Sequence, residues 1–206
     1  MTESLLPTGS VERDAARTEL ADELQQLRAV PGFPRGSDDA VLSMSLPPAY
    51  TACPNPFLGR FIEESRADRQ GDSPYLDPGP FTGDVSVGKS HPIYKAHSYP
   101  TKVPHEAIMR LLLHYTRPGD VVLDGFCGTG MTGVAAQMCA APGATLRAQI
   151  EAEMGRVEWG ARRAILQDLS PTATFIAAGL NLPVDPTAFD RASAALLDRF
   201  GTRQAL

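Results

Sequence analysis

The segment from Val121 to Gly130 constrains the fold more than any other part of the chain. It reads Val-Val-Leu-Asp-Gly-Phe-Cys-Gly-Thr-Gly, a short apolar run followed by a glycine-rich turn. The apolar run predicts a short buried strand, and residues 131–141 predict a helix directly after the turn. A strand, a glycine turn and a helix in this order bring a ligand close to bare backbone.

The residues around this unit predict an α/β fold. Pro104 stands at a first-turn position, and Ser170 can cap a helix that starts at Pro171. Helices are predicted over 104–116, 151–163, 171–180 and 186–200, and a second strand over 164–166. In the last helix we expect Phe189, Leu196, Leu197 and Phe200 to face inward. The alternation indicates the first strands of a doubly wound, Rossmann-like sheet.

The first half of the chain has a different character. Of the 18 prolines, 13 lie in the first 104 residues, which predicts irregular structure there. Leu20, Leu24 and Leu27 mark a helix over 11–29, and a short helix is expected over 57–67. We therefore divide the chain into an N-terminal, proline-rich helical arm (1–96) and a partial α/β domain (97–206).

Composition excludes several classes of protein. The chain has 206 residues, 43% of them hydrophobic, and a net charge of -5, which is typical of a folded globular protein. No apolar run approaches the roughly 18 residues of a membrane span, and no secretory signal is visible. Three cysteines without metal-ligand spacing favour a reducing, cytoplasmic setting.

Two acidic residues define the chemistry expected at the loop. Asp124 ends the first predicted strand and Asp168 follows the second. Gly128, Gly130 and Gly133 satisfy G-x-G-x-x-G, so a dinucleotide such as NAD is a competing ligand. A carboxylate at the mouth of the loop would repel a pyrophosphate. S-adenosylmethionine carries a sulfonium, an ammonium and a ribose diol but no phosphate, and it suits such a site better.

The segment Val121–Thr132 resembles the first motif of the amino-group DNA methyltransferases, which modify adenine N6 or cytosine N4. The shared pattern is an apolar strand followed by D-x-F-x-G-x-G. Upstream, Tyr99-Pro100-Thr101-Lys102-Val103-Pro104 is similar to the segment that precedes this motif in the family. The likeness spans about residues 97–180, with an insertion near 142–162.

The resemblance implies S-adenosylmethionine as cofactor and DNA as partner. It implies that the loop binds the cofactor, that Thr101 and Lys102 help to line the pocket, and that Asp168 takes the ribose hydroxyls. The loop residues expected to contact the cofactor are Asp124, Gly125, Phe126, Cys127, Gly128, Thr129 and Gly130. Restriction–modification, other phage defence and regulation all stay open as roles.

Enzymes of this family also carry an Asp/Asn/Ser-Pro-Pro-aromatic motif that holds the target amino group. No Pro-Pro pair follows Asp124, and the only doublet, Pro47-Pro48, has Leu46 in place of the polar acceptor. The catalytic residues therefore stay unassigned. With about two strands of a seven-stranded sheet, we expect an incomplete or split enzyme that needs a second polypeptide or a further segment. A non-catalytic cofactor-binding or assembly module and an RNA methyltransferase fragment are the alternatives.

The histidines give a weaker signal. His91, His97 and His105 lie among lysines in 89–105, which could be a basic edge facing phosphates or an ordinary solvated loop. No two histidines have a metal-ligand geometry on a predicted element, so the sequence predicts no metal site.

Overall fold

The computed structural model describes residues 10–31, 33, 35–45, 50–53, 55, 58–67 and 78–204. The Pro47-Pro48 doublet and the start of the expected 57–67 helix lie outside the described residues. The helices are α1 (Ser10–Leu27), α2 (Asp38–Met44), α3 (Leu58–Ala67), α4 (Pro92–Lys95), α5 (His105–Tyr115), α6 (Met131–Met138), α7 (Ala144–Met154), α8 (Pro171–Asn181) and α9 (Pro186–Gln204). The strands are β1 (Val121–Asp124) and β2 (Arg163–Leu166).

The two strands pair in parallel and confirm the expected mixed α/β class. Val121 stands opposite Arg163 and Asp124 opposite Leu166, and the connection between them carries α6 and α7. The pairing continues past both strand ends: Gln167 N donates to Asp124 O at 2.9 Å, and Cys127 N donates to Gln167 O at 2.9 Å. This extension carries the sheet into the glycine loop and fixes the loop against the residues that follow β2.

The core lies between α5, α6 and α7. Met109, Ala135, Cys139 and Ile150 are fully buried in it, and Val122 and Ala164 pack against it from the sheet. The apolar spacing of Ile108, Leu111, Leu112 and Tyr115 correctly predicted a helix here, but not its buried side. Met109, Leu112 and Leu113 are buried, whereas Leu111 and Tyr115 are exposed.

A buried cation borders this core. The Arg110 side chain is 4% exposed and forms a bidentate pair with Glu153 of α7, at 2.7 Å (Nε–Oε2) and 3.0 Å (Nη2–Oε1). The guanidinium holds the pKa of Glu153 below its ordinary value. Because a buried charge is costly without a partner, this pair fixes α7 against α5.

Two apolar surfaces are more exposed than the sequence predicted. The β1 strand was expected to be buried, yet Leu123 is 69% exposed because successive strand residues point to opposite faces and the described residues leave its face uncovered. The four apolar residues expected to face inward from α9 are exposed as well: Phe189, Leu196, Leu197 and Phe200. Their spacing correctly indicated a helix, but no described element packs on their stripe.

The boundaries of α6 and α7 show how the structure ends a helix where the sequence pattern did not predict it. The charged stretch over 151–163 is not one helix, because α7 ends at Met154 and Gly155 follows with a φ of +74°. Glycine tolerates this positive φ, so the helix ends here and the chain continues in a new direction toward β2. Helix α6 stops at Met138 rather than at Ala141, with Cys139 as its cap.

Two helices in the proline-rich region were not predicted. In α2 the Ser37 hydroxyl accepts from Ala40 N at 3.2 Å, and Asp38 and Asp39 occupy the first turn. This cap stabilises a helix too short to show an apolar period. In α4 His91 is the N-cap and Pro92 the first residue. Among the residues described, none of the helices combines the length and apolar character needed to cross a membrane.

Candidate functional site

The site is built where β1 ends and α6 begins. Between them the backbone turns at Gly128 (φ +51°) and Gly130 (φ +78°), both in the left-handed region that favours glycine. A Cβ at Gly130 would lie 2.7 Å from the Ala177 Cβ and 3.0 Å from the Ala177 Cα. The loop therefore needs glycine at 130 for both conformation and packing against α8.

Asp124 and Asp168 meet at this loop. Asp124 accepts from the Thr132 hydroxyl (Oδ2, 2.5 Å) and from Phe126 N (Oδ1, 3.2 Å). Asp168 accepts from Gly128 N (Oδ2, 2.9 Å) and from Ser170 N (Oδ1, 2.9 Å). The structure thus brings the two strand-end carboxylates to one loop, because parallel strands place their carboxyl ends at the same edge.

The amide groups of the loop are largely occupied. Phe126 N and Gly128 N donate to the two carboxylates, while Gly130 N donates to Cys127 O at 2.8 Å. Cys127 N is used by the sheet extension. A phosphate-binding loop of the usual kind offers such N–H groups to its anion. Here they are satisfied by protein oxygens, and the local charge is negative.

The side chains of the loop differ in exposure. Phe126 is 83% exposed, whereas Cys127 and Thr129 are buried. Burial, together with the charges of Asp124 and Asp168, raises the pKa of the Cys127 thiol to about 11. The thiol is therefore protonated at neutral pH and is a poor nucleophile. Thr129 is 2% exposed, and its buried hydroxyl has no hydrogen-bond partner among the described residues.

The segment upstream of α5 reaches the loop through Tyr99. A Cβ at Gly128 would lie 3.3 Å from Tyr99 Cε1, so the ring packs against the glycine. Thr101 is exposed with a φ of +59°. The Lys102 ammonium instead donates to Tyr94 O and to His97 O (2.5 Å) and stacks on the Tyr94 ring. Of this segment, Tyr99 touches the loop, and Lys102 holds α4 in place.

Three contributors were not singled out from the sequence. Thr132 holds Asp124, and its place as the second residue of the helix that directly follows the glycine loop was the available signal. Asn181 Nδ2 donates to Gly130 O at 3.0 Å, and Gln137 Nε2 donates to Asn181 Oδ1 at 3.1 Å. Asn181 lies at the end of α8, so no local pattern could have linked it to the loop.

The histidine segment also departs from expectation. His91, His105 and Glu106 place one possible metal-binding atom each within 4.8 Å of one another. This corrects the expectation that no two histidines share a ligand geometry. Burial, with His91 nearby, lowers the pKa of His105 to about 4. His105 is therefore uncharged at neutral pH and adds no charge to a basic edge.

No solved structure significantly matches this chain. One family model does: residues 67–141 match N6_N4_Mtase, described as DNA methylase. The match covers just over a third of the chain and includes Tyr99, Thr101, Lys102 and the whole loop from Asp124 to Gly130. It ends before β2 and Asp168. The match supports the N6/N4 amino-group DNA methylase family for residues 67–141, as the motif at the glycine loop had indicated.

Proposed function

We propose that this chain is the S-adenosylmethionine-binding part of a DNA methyltransferase that modifies adenine N6 or cytosine N4. The match of residues 67–141 to the DNA methylase family model supports methyl transfer to DNA. The cofactor, the target amino group, a cytoplasmic location and the division into an arm (1–96) and a partial, Rossmann-like cofactor domain (97–206) are further parts of this proposal.

One observation carries the cofactor assignment. Two carboxylates lie at the loop, and they accept hydrogen bonds from the Phe126 and Gly128 amides that would otherwise favour an anion. A dinucleotide would have to place its pyrophosphate beside Asp124 and Asp168 while those amides are engaged. A nucleoside with a sulfonium and an ammonium group gains from the same charges.

The residues at the loop fit this cofactor chemically. A carboxylate has about four lone-pair sites, so Asp124 and Asp168 can each accept further hydrogen bonds. In our proposal Asp168 accepts from the ribose hydroxyls, and Asp124 lies near the cationic amino-acid end. A Cβ at Gly125 would meet no atom within 4 Å, so this side of the turn is open to a ligand.

The remaining loop residues have supporting roles. Phe126 is exposed enough to stack on an adenine, whereas Thr129 is buried and belongs to the interior of the loop. Gly128 and Gly130 shape the turn, and Cys127 fills space. Thr101 stays a proposed lining residue, while the Lys102 amine supports the segment that carries Tyr99. When bound, S-adenosylmethionine supplies a methyl group activated by its sulfonium.

Catalysis requires a part that this cofactor site does not contain. The Pro-Pro motif is absent after Asp124. The exposed face of β1 and the apolar stripe of α9 support packing against further methyltransferase strands, in the same or another polypeptide. We propose that such a part supplies the catalytic motif and the contacts to DNA.

Calorimetric titration with S-adenosylhomocysteine, S-adenosylmethionine and NAD tests the cofactor assignment. We expect binding of the first two and none of NAD. Asp124→Asn should weaken binding by about 10- to 100-fold, as for loss of a hydrogen bond to a charged group. Asp120→Asn, at the opposite end of β1, is the matched control and should bind normally. Tight binding of NAD alone would overturn the assignment.

The reaction is tested separately. The coding DNA that follows the Leu206 codon is searched for an Asp/Asn/Ser-Pro-Pro-aromatic motif, and the encoded segment is co-expressed with this chain. Transfer of labelled methyl groups to DNA by the pair supports the enzyme. Cofactor binding without transfer to DNA or RNA favours a non-catalytic module, and transfer to RNA alone favours the RNA alternative.

A further inference from the structure

We propose that His91, His105 and Glu106 form a binding site for a divalent transition-metal ion, with Zn²⁺ the best fit. His91 caps α4, and His105 and Glu106 begin α5. One donor atom from each of the three lies within 4.8 Å of the other two. The site is separate from the glycine loop and does not rest on the proposed methyl transfer.

His105 is the strongest indication of a ligand. Its side chain is fully buried, yet neither Nδ1 nor Nε2 has a hydrogen-bond partner among the described residues. Buried polar atoms in native proteins are nearly always satisfied, and each exception calls for an explanation. A metal ion bound by one ring nitrogen would satisfy that nitrogen and fix the ring.

His91 completes the pair of imidazoles. The two rings meet edge to face with centroids 4.5 Å apart. His91 Nδ1 accepts from Ile93 N at 3.2 Å, so Nε2 is the ring nitrogen that remains available to a metal ion. A metal on Nε2 would move the ring proton to Nδ1 and remove this cap bond. The cost is one hydrogen bond at the start of a four-residue helix, and it provides a local reporter.

The donor set selects the type of ion. Two imidazole nitrogens and one carboxylate oxygen suit Zn²⁺ and its neighbours in the transition series. Mg²⁺ and Ca²⁺ prefer oxygen ligands and are poorly served by two imidazoles. Three protein ligands leave one position of a tetrahedral ion for water or another group.

The position of the site indicates a structural effect. His91 and His105 bracket the segment that contains Tyr99, whose ring packs against Gly128. A metal ion bound by both histidines would tie α4 to the start of α5. It would thereby hold Tyr99 against the glycine loop, in addition to the hydrogen bonds of Lys102.

Metal titration of the whole chain, purified with a chelator and then dialysed, tests the proposal. We expect one Zn²⁺ per chain by calorimetry and tetrahedral visible absorption with Co²⁺, and excess Mg²⁺ should not compete. His91→Gln and Glu106→Gln should each weaken Zn²⁺ binding by at least about 10-fold, the lower bound for disturbing a metal site. His97→Gln, on the same segment but outside the cluster, should bind as the unaltered chain does.

The backbone amide of Ile93 gives a second measurement. Its NMR signal should shift on Zn²⁺ addition in the unaltered chain but not in His91→Gln, and the melting temperature should rise only where the ion binds. Both variants replace half-buried residues, so the test does not depend on a buried His105 substitution folding. Absence of stoichiometric binding, or equal binding by His91→Gln and His97→Gln, would overturn the site.

Discussion

The two faces of the small sheet differ in how the rest of the chain treats them. On one face Val122 and Ala164 pack against the fully buried Met109, Ala135 and Ile150. On the other, Leu123 is 69% exposed, although it is as apolar as its neighbours. An apolar pattern in the sequence therefore shows which residues can be buried. Whether they are buried depends on another element of the structure packing over them.

The largest effect that separates the two faces should come from truncating their side chains. Met109→Ala leaves a cavity in the α5–α6–α7 core and should lower the free energy of unfolding by about 3 kcal/mol. Leu123→Ala removes an exposed side chain and should change it by less than about 0.5 kcal/mol. Urea denaturation followed by circular dichroism measures both. A large loss in Leu123→Ala would show that this face is covered in solution.

A second substitution tests the contact between the loop and α8. Gly130→Ala adds a methyl group 2.7 Å from the Ala177 Cβ at a left-handed backbone position. We expect a loss of about 3 kcal/mol, from the backbone conformation and overpacking together. Gly179→Ala is the control within α8, because a Cβ there meets nothing within 4 Å. It should be neutral or stabilising by up to about 1 kcal/mol.

Equal stability of Gly130→Ala and Gly179→Ala would mean that α8 does not seat against the loop in solution. The same two variants should differ in cofactor affinity, because only the first distorts the turn between Asp124 and α6. A Gly130→Ala protein that folds but binds S-adenosylhomocysteine poorly would link this packing to the proposed function.

The local signals in the sequence were sufficient for the loop and its strands. The apolar run, Asp124 and the glycines predicted the strand end, the turn and α6, and Asp168 was correctly expected beside them as the end of the next strand. Contacts between distant segments were missed. Asn181 supports Gly130 from the end of α8, and no periodicity connects the two. The inward orientation expected for α9 was wrong because the hydrophobic period fixes a helix and its stripe, not a covering partner.

The histidines illustrate the same limit. His91 and His105 approach each other because the chain between them folds back through α4, held by Lys102. That turn has no apolar period, and the four-residue helix within it is set by a cap and a proline. A helix cap of this kind can be recognised from a few neighbouring residues. The distance that it creates between His91 and His105 cannot be inferred from their separation in the sequence.

A smaller effect is expected from the charge at the edge of the packed region. Glu153→Gln leaves the Arg110 guanidinium buried without its carboxylate and should cost about 2 kcal/mol. This is less than for a fully buried pair, because Glu153 is 43% exposed. Glu151→Gln, which breaks the exposed pair with Arg147, should have a much smaller effect.

The pH dependence of this pair follows from the direction of its shift. Arg110 lowers the pKa of Glu153 in the folded state, so the pair stabilises the protein above the ordinary glutamate pKa. That contribution is lost as the pH falls through the lowered folded value. The difference in unfolding free energy between the unaltered chain and Glu153→Gln should therefore shrink at acidic pH. A difference that is constant across this range would assign the loss to packing instead of charge.

The smallest change in stability is expected on the exposed apolar stripe of α9, where the change in association should be clear. Leu197 is 69% exposed and belongs to the apolar stripe of α9, so Leu197→Asp should alter the free energy of unfolding by less than about 0.5 kcal/mol. Exposed apolar stripes promote association, and a charge within the stripe opposes it. Sedimentation velocity should therefore show less self-association for Leu197→Asp than for Ala195→Asp, which adds the same charge off the stripe. If both variants associate equally, self-association does not depend on the α9 stripe, and the exposed Leu123 of β1 is the next apolar side chain to test in the same way.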